Sequence, residues 1–215
     1  MKYDISLQET GRTLGRIVIV VHRDYMTMKH NERCKECKIT VEKLLAEMYG
    51  EIKSNYNLNV PCKIEDYKNH VISTALDRIY KKLQLHRNYT SFVKSNKLPN
   101  VDFFVPSAEV IVEFDESQHL TELREISISE YPKDMVLGFD KRKWQSSCSK
   151  LKRTDNDPPY RDEQRAWYDT LRDFVPLMLA LKPTIRLYSG DYIWCSLKAD
   201  RKPDIATFNK FLTKT

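Results

Sequence analysis

Residues 101–121 read VDFFVPSAEVIVEFDESQHLT, and the fold turns on this stretch. Two apolar runs, 101–105 and 109–115, flank Pro106 and Ser107. Val105-Pro106-Ser107-Ala108 suits a type I turn with proline at its second position, so the runs predict an antiparallel hairpin. Pairing about Ser107 and Ala108 sets Val105 opposite Val110, Phe103 opposite Val112 and Asp102 opposite Glu113. Opposed residues have Cβ atoms about 5 Å apart. Residues two apart on a strand share a face, so Asp115 joins the two acids. Burying three like charges costs several kcal/mol unless something compensates. A hard divalent cation is the natural compensation, because Mg²⁺ takes oxygen ligands and often one or two carboxylates. The plainer alternative leaves the acids pointing to water beyond the sheet edge.

His119 follows Asp115 by four residues, where the strand should end. A histidine there is a candidate proton acceptor, and Gln118 is a neutral donor for a water or a phosphate oxygen. Both roles depend on the acids forming a site.

The flanking pattern predicts one sheet with helices. Residues 2–8 and 16–21 read as strands around a turn at Thr13, Leu14 and Gly15. Residues 39–49 read as a helix stopped by Gly50. A stronger helix spans about 65–83, with Val71, Ile72, Ala75, Leu76, Ile79, Tyr80 and Leu83 at helical spacing. Another begins near Asp162, with a stop or kink at Pro176. Residues 184–188 and 192–197 read as strands, and 204–212 as a closing helix. The basic segment 141–156, with Trp144, reads as a surface loop or as one entering a DNA groove. The layout is α/β or α+β with a single sheet. Residues 1–60 form an N-terminal extension, a DNA-binding or dimerisation lobe, and 61–215 the main domain.

The spacing D-x(10)-E-x-D-x-x-x-H in an apolar hairpin resembles the PD-(D/E)XK nuclease superfamily. It is most similar to the branch of very-short-patch repair endonucleases, whose pattern is DFxxP…ExDGxxH. This chain has DFFVP and EFDESQH, and Arg161-Asp162-Glu163-Gln164-Arg165 resembles the R-D-x-x-R start of that branch's next helix. The resemblance covers about 100–190. It implies a restriction-endonuclease-like αβββαβ core, a mixed sheet flanked by helices, and hydrolysis of DNA phosphodiesters with Mg²⁺ or Mn²⁺. It implies that Asp102, Glu113 and Asp115 hold the metal, and that Asp102, Glu113, Asp115, Gln118 and His119 carry the catalysis. Asp115 stands where the main pattern has lysine, which moves the base to His119. Glu116 replaces the branch glycine. Arg165 would neutralise a phosphate with its forked donors, or else pair with Asp162 or Asp169. The alternative function is a nucleic-acid-binding module of the same fold without the chemistry.

Charge agrees with a polyanionic partner. Residues 1–100 carry 18 basic and 11 acidic side chains, the remainder 18 and 19. No acid occurs from Arg78 to Val101, while Lys81, Lys82, Arg87, Lys94 and Lys97 alternate with Tyr89 and Phe92. Such a stretch can grip phosphates, or simply face water. Cleavage of both strands at one site would favour a homodimer.

Cys34-x-x-Cys37 offers half of a zinc knuckle, with His30, His22, Cys62 and His70 as further candidates. Otherwise these are two thiols beside a helix start, and Cys148 and Cys195 incidental thiols. Five cysteines in 215 residues suggest a reduced, cytoplasmic protein rather than a disulfide framework. No secretory signal is expected. The apolar runs 17–21 and 177–181 are five residues each, against about 20 residues for a membrane span. Five glycines, with no GxGxxG or GxxxxGK, argue against a glycine-cradled nucleotide site.

Overall fold

The structure is a computed structural model and describes residues 30–213. The two strands expected at 2–8 and 16–21, and His22, lie outside them. In chain order the elements are α1 (Lys35–Tyr49), β1 (Lys53–Tyr56), α2 (Ser73–Arg87), β2 (Val101–Val105), β3 (Val110–Asp115), α3 (Glu122–Ser129), α4 (Lys141–Leu151), α5 (Arg161–Leu179), β4 (Lys182–Tyr188) and α6 (Lys202–Leu212). The strands make one mixed sheet in the order β1-β2-β3-β4, antiparallel except for the parallel β3–β4 pair. This is an α+β fold.

The hairpin has the register that its turn residues predict. Val105 pairs with Val110, Phe104 with Ile111 and Phe103 with Val112. Residues 106–108 form a tight 3₁₀ turn, and Glu109 takes the left-handed conformation (φ 53°). The return to β4 passes through α3, α4 and α5, since parallel strands need a long crossover.

The two sheet faces differ. On one, Phe103, Val105, Val110, Val112, Phe114 and Leu187 pack against Val41, Leu44 and Leu45 of α1, Phe208 and Leu212 of α6, and Trp194. Residues 30–60 thus supply a covering helix and an edge strand to this sheet. A second apolar cluster joins α2, α3, α4 and α5 around Trp167, Leu171 and Phe174. Between that cluster and the sheet, β3 and β4 present Glu113, Asp115, Thr184 and Arg186, all buried.

Several expected elements differ. The helix placed at 65–83 runs from Ser73 to Arg87, preceded by a 3₁₀ turn at Ile64–Tyr67, and Val71 is 97% exposed. In place of the strand expected at 192–197 is one 3₁₀ turn, Trp194–Ser196, because Trp194 turns inward and its Nε1 donates to the Tyr188 carbonyl at 3.1 Å. The basic segment after Asp140 is the helix α4, and Trp144 is buried against Phe139 instead of entering a groove. Its start is capped by Asp140, which accepts from the Lys143 amide at 3.0 Å. Thr121 caps α3 in the same way, accepting from the Arg124 amide at 3.1 Å.

Pro176 does not stop α5, which continues to Leu179. Proline lacks the N–H that would bond the carbonyl four residues back. That carbonyl, on Arg172, accepts instead from the Thr184 hydroxyl of β4 at 2.6 Å. The helix end and the following strand are thereby joined.

Candidate active site

β2 and β3 place Asp102 and Glu113 side by side, and the two are locked through the backbone. The Phe114 amide donates to Asp102 Oδ2 at 2.8 Å, and the Asp102 amide donates to Glu113 Oε1 at 3.3 Å. Both acids open into a cleft of about 240 Å³, whose wall includes Lys38, Glu116, Gln118, His119 and Arg172. Lys38 reaches across from the first turn of α1 and its Nζ pairs with Asp102 Oδ1. Larger hollows, of about 270 Å³ beside Trp144 and about 570 Å³ between α2 and α3, hold no pair of acids on adjacent strands.

Asp115 shares the face of Glu113 but lies beneath the cleft, 1% exposed. Arg186 Nη1 holds both its oxygens, at 3.0 and 2.8 Å. Arg186 also donates through Nε to Asp173 Oδ1 at 2.8 Å, and Arg124 Nη2 donates to Asp173 Oδ2 at 2.6 Å. Arg172 Nη1 donates to Asp169 Oδ1 at 3.2 Å and its Nε lies 3.5 Å from Glu113 Oε1. The compensation expected from a cation is therefore supplied at Asp115 by arginine. A layer of seven buried ionisable side chains joins the sheet to α5 and α3: Glu113, Asp115, Arg124, Asp169, Arg172, Asp173 and Arg186.

Two carboxyls of this layer respond oppositely. Burial pushes Glu113 up to about 8; Arg172 and Arg186 oppose the shift, while Asp102 and Asp115 add to it. Burial also penalises ionised Asp169, yet His119 and Arg186 hold it well below the usual carboxylate range.

His119 stands at the cleft wall with Nδ1 2.8 Å from Asp169 Oδ2 and 3.6 Å from Asp115 Oδ1. Burial lowers its pKa, but Asp169 and Asp115 outweigh that and raise it above the ordinary value. Gln118 lies beside it, and its Nε2 donates to Glu116 Oε2 at 3.2 Å. Arg165 holds this turn from below. Its Nη1 donates to the Gln118 carbonyl at 3.0 Å and its Nη2 to Asp155 Oδ2 at 2.8 Å, and Asp162 lies 3.6 Å away. Of the two readings of Arg165, the pairing with Asp162 is the one seen, with Nη1 and Nη2 also turned onto Gln118 and Asp155.

The basic stretch divides. Arg87 is tied to buried Glu163 through Nε at 2.6 Å and through Nη2, and to Asn156 through Nη1 at 2.6 Å. This ion pair takes it out of the set of free phosphate contacts. Lys81 pairs with Asp77 at 2.6 Å and Lys82 lies 4.0 Å from Glu130, both exposed. Lys94 lies over the Tyr160 ring at 5.0 Å, and Lys97 donates to Asn59 Oδ1 at 2.6 Å.

Among the described residues, two groups bring potential metal ligand atoms within 4.8 Å of one another: Asp115, His119 and Asp169, and His30, Cys34, Cys37 and Cys195. No described helix is long and apolar enough to cross a membrane. Comparison with family models, with curated proteins and with solved structures gave no match to the chain.

Lys38, Asp169, Arg172, Arg186 and Cys195 belong to these sites and were not singled out by sequence as site residues. For α5 a signal existed. Asp169, Arg172 and Asp173 fall at helical spacing on one face, opposite the apolar stripe of Trp167, Leu171 and Phe174.

Proposed function

We propose that this chain is a metal-dependent DNA endonuclease that hydrolyses phosphodiester bonds at the Asp102–Glu113 cleft, with Mg²⁺ or Mn²⁺ as cofactor. The observation that carries the reading is the pair of acids on adjacent strands, open to a cleft and faced by the Lys38 amine. The order α1-β1-β2-β3-α5-β4, with α2 inserted between β1 and β2 and α3 and α4 before α5, supports a restriction-endonuclease-like core.

The donor set fits a hard cation. Asp102 and Glu113 offer oxygens only, and Glu113 is buried with a carboxyl pushed up to about 8, which a nearby positive charge would return to its ionised form. When bound, the metal supplies Lewis-acid polarisation and a more acidic water. The remaining steps belong to the chain. Lys38 has three N–H donors, of which one meets Asp102; the others orient the attacking water or a phosphoryl oxygen. Gln118 holds a non-bridging oxygen. His119, held through Nδ1 by Asp169 and with its pKa raised by Asp169 and Asp115 against burial, is biased toward its protonated form and donates that proton to the leaving oxygen. This is the acid's role, where the sequence suggested the base's. DNA is gripped by Lys81, Lys82, Lys94 and Lys97, and cleavage of both strands would draw on two copies.

One observation favours the alternative, a DNA-binding module without chemistry: Lys38 and Arg172 already lie against Asp102 and Glu113. Nicking of supercoiled plasmid, with DNA binding measured separately in chelator, decides between them. Mg²⁺-dependent nicking by wild type that is lost in Asp102→Asn with binding retained is the expected result. Binding without nicking would favour the module, and neither activity would overturn both.

A further inference from the structure

We infer that His30, Cys34, Cys37 and Cys195 form a structural zinc site that clasps the start of α1 to the turn following β4. The pairing of Cys34 with Cys37 in sequence supplies two of four ligands. The fold brings the other two from either side, His30 from just before α1 and Cys195 from the Trp194–Ser196 turn. All four ligand atoms lie within 4.8 Å of one another. His30 Nε2 is 3.0 Å from Cys37 Sγ and 3.5 Å from Cys195 Sγ. A tetrahedral Zn²⁺ with bonds of about 2.3 Å to sulfur and 2.0–2.1 Å to nitrogen has ligand–ligand edges of roughly 3.5–3.8 Å. The four groups are thus already near the separations that zinc imposes.

The chemistry selects the metal. Three thiols and an imidazole form a soft set that suits Zn²⁺ and not Mg²⁺. The set is complete at four, with no carboxylate among its members, which marks a structural rather than a catalytic site. Cys34 is the N-cap of α1 and Cys37 lies in its first turn; a thiol that coordinates zinc is deprotonated by the metal itself. The other two cysteines provide a contrast. Cys62 is buried with its Sγ donating to the Ser95 carbonyl at 3.0 Å, and Cys148 lies on the buried face of α4. Among the described residues, neither belongs to a group of three or more clustered metal-ligand side chains.

The position gives the site a task. Lys38 directly follows Cys37. From the same segment, Glu32 accepts from the Ser117 hydroxyl at 2.6 Å and Arg33 lies 3.9 Å from Glu116, both beside the cleft. A metal at Cys34 and Cys37 therefore holds the segment that carries Lys38 along one wall of the cleft. Only this consequence rests on the proposed nuclease function.

The test is elemental analysis of the full chain purified under reducing conditions. One zinc per chain is expected. It should fall to background in Cys195→Ser and in Cys34→Ser, and persist in Cys148→Ser. Should those variants fail to fold, wild type stripped by a chelator is titrated with Co²⁺. The expected result is the intense visible absorption of tetrahedral thiolate-bound cobalt, abolished by Zn²⁺ and indifferent to excess Mg²⁺. Chelation should also lower the melting temperature, because metal affinity is folding free energy. Folded, reduced wild type with neither zinc nor that cobalt spectrum would overturn the site. So would full zinc retention in Cys195→Ser. None of these readouts needs DNA cleavage, so the zinc site and the nuclease reading can fail independently.

Discussion

Arg172 aims its Nε at Glu113, 3.5 Å from Oε1, and that nitrogen makes no hydrogen bond. The pair attract each other without the short contact that would keep Glu113 ionised, and burial prevails. The folded state therefore binds the Glu113 proton more tightly than the unfolded chain, where the pKa is about 4.3. Where the native state binds more protons, stability falls as pH rises. This contribution is fully present below the unfolded pKa and is lost as pH climbs through about 8. The raised pKa of His119 acts in the same direction. The melting temperature of Mg²⁺-free protein should decline from about pH 5.5 to about pH 8.5, and Glu113→Gln should flatten the decline. Added Mg²⁺ should stabilise more at the alkaline end, where the carboxylate is ionised. Thermal melts in matched buffers check both; a wild-type curve no steeper than that of Glu113→Gln would remove the assignment.

Lys38 and Asp102 should separate chemistry from binding. Lys38→Met is expected to slow Mg²⁺-dependent cleavage about 10²-fold or more, the scale for one charged donor at a reacting oxygen. Asp102→Asn should remove cleavage and leave DNA affinity equal or higher, because a negative charge facing phosphate is lost. Single-turnover rates and binding in chelator measure the two effects.

If His119 is the acid, wild-type cleavage should fall as pH rises through its raised pKa. His119→Ala should lose about 10²–10⁴-fold together with that limb of the profile. A limb that instead falls toward low pH would return His119 to the role of base.

Arg186 should prove a structural requirement. Arg186→Leu leaves Asp115 and Asp173 buried with a partner missing, a change worth about 3–5 kcal/mol. Thr184→Val, which strips the Arg172 carbonyl of its acceptor bond, should cost about 1–3 kcal/mol. Denaturant unfolding of both variants, with an unchanged m-value, would establish these costs.

For the DNA grip, log affinity should fall with log salt at about −0.9 per duplex phosphate contact. Neutralising Lys81, Lys82, Lys94 and Lys97 together should flatten that slope. Arg87→Gln and Arg165→Gln should leave it nearly unchanged and lower the melting temperature, since both arginines are engaged with buried acids. An unchanged slope in the fourfold variant would mean that these lysines only face solvent.

What the sequence disclosed follows the range of the interactions involved. The hairpin register was legible because it depends on a four-residue turn and strict alternation, and Val105 meets Val110 as those dictate. The Asp102–Glu113 pair followed from it. Lys38 did not, because it reaches Asp102 from 64 residues earlier. Cys195 read as an incidental thiol because its companions lie far upstream. β1, Lys53-Ser54-Asn55-Tyr56, is an edge strand with no apolar alternation to announce it. α3 and α4 were obscured by polar composition, although Thr121 and Asp140 carry cap chemistry visible in hindsight. Arg87 and Arg165 looked like free cations because charge in a sequence does not disclose which acid lies opposite it in space.

The buried charges between the sheet and α5 also limit how this protein can drift. An apolar core tolerates gradual exchange, one methylene at a time. Here, losing any one of Asp115, Asp173 or Arg186 strands the others, while a concerted swap to matched apolar side chains is far cheaper. Neutral paths through this layer therefore run through paired or triple replacements, with deep fitness valleys at the single steps. Distant descendants should carry either the whole charged set or none of it, and a sequence that keeps half would mark a lineage that has recruited a different counter-charge.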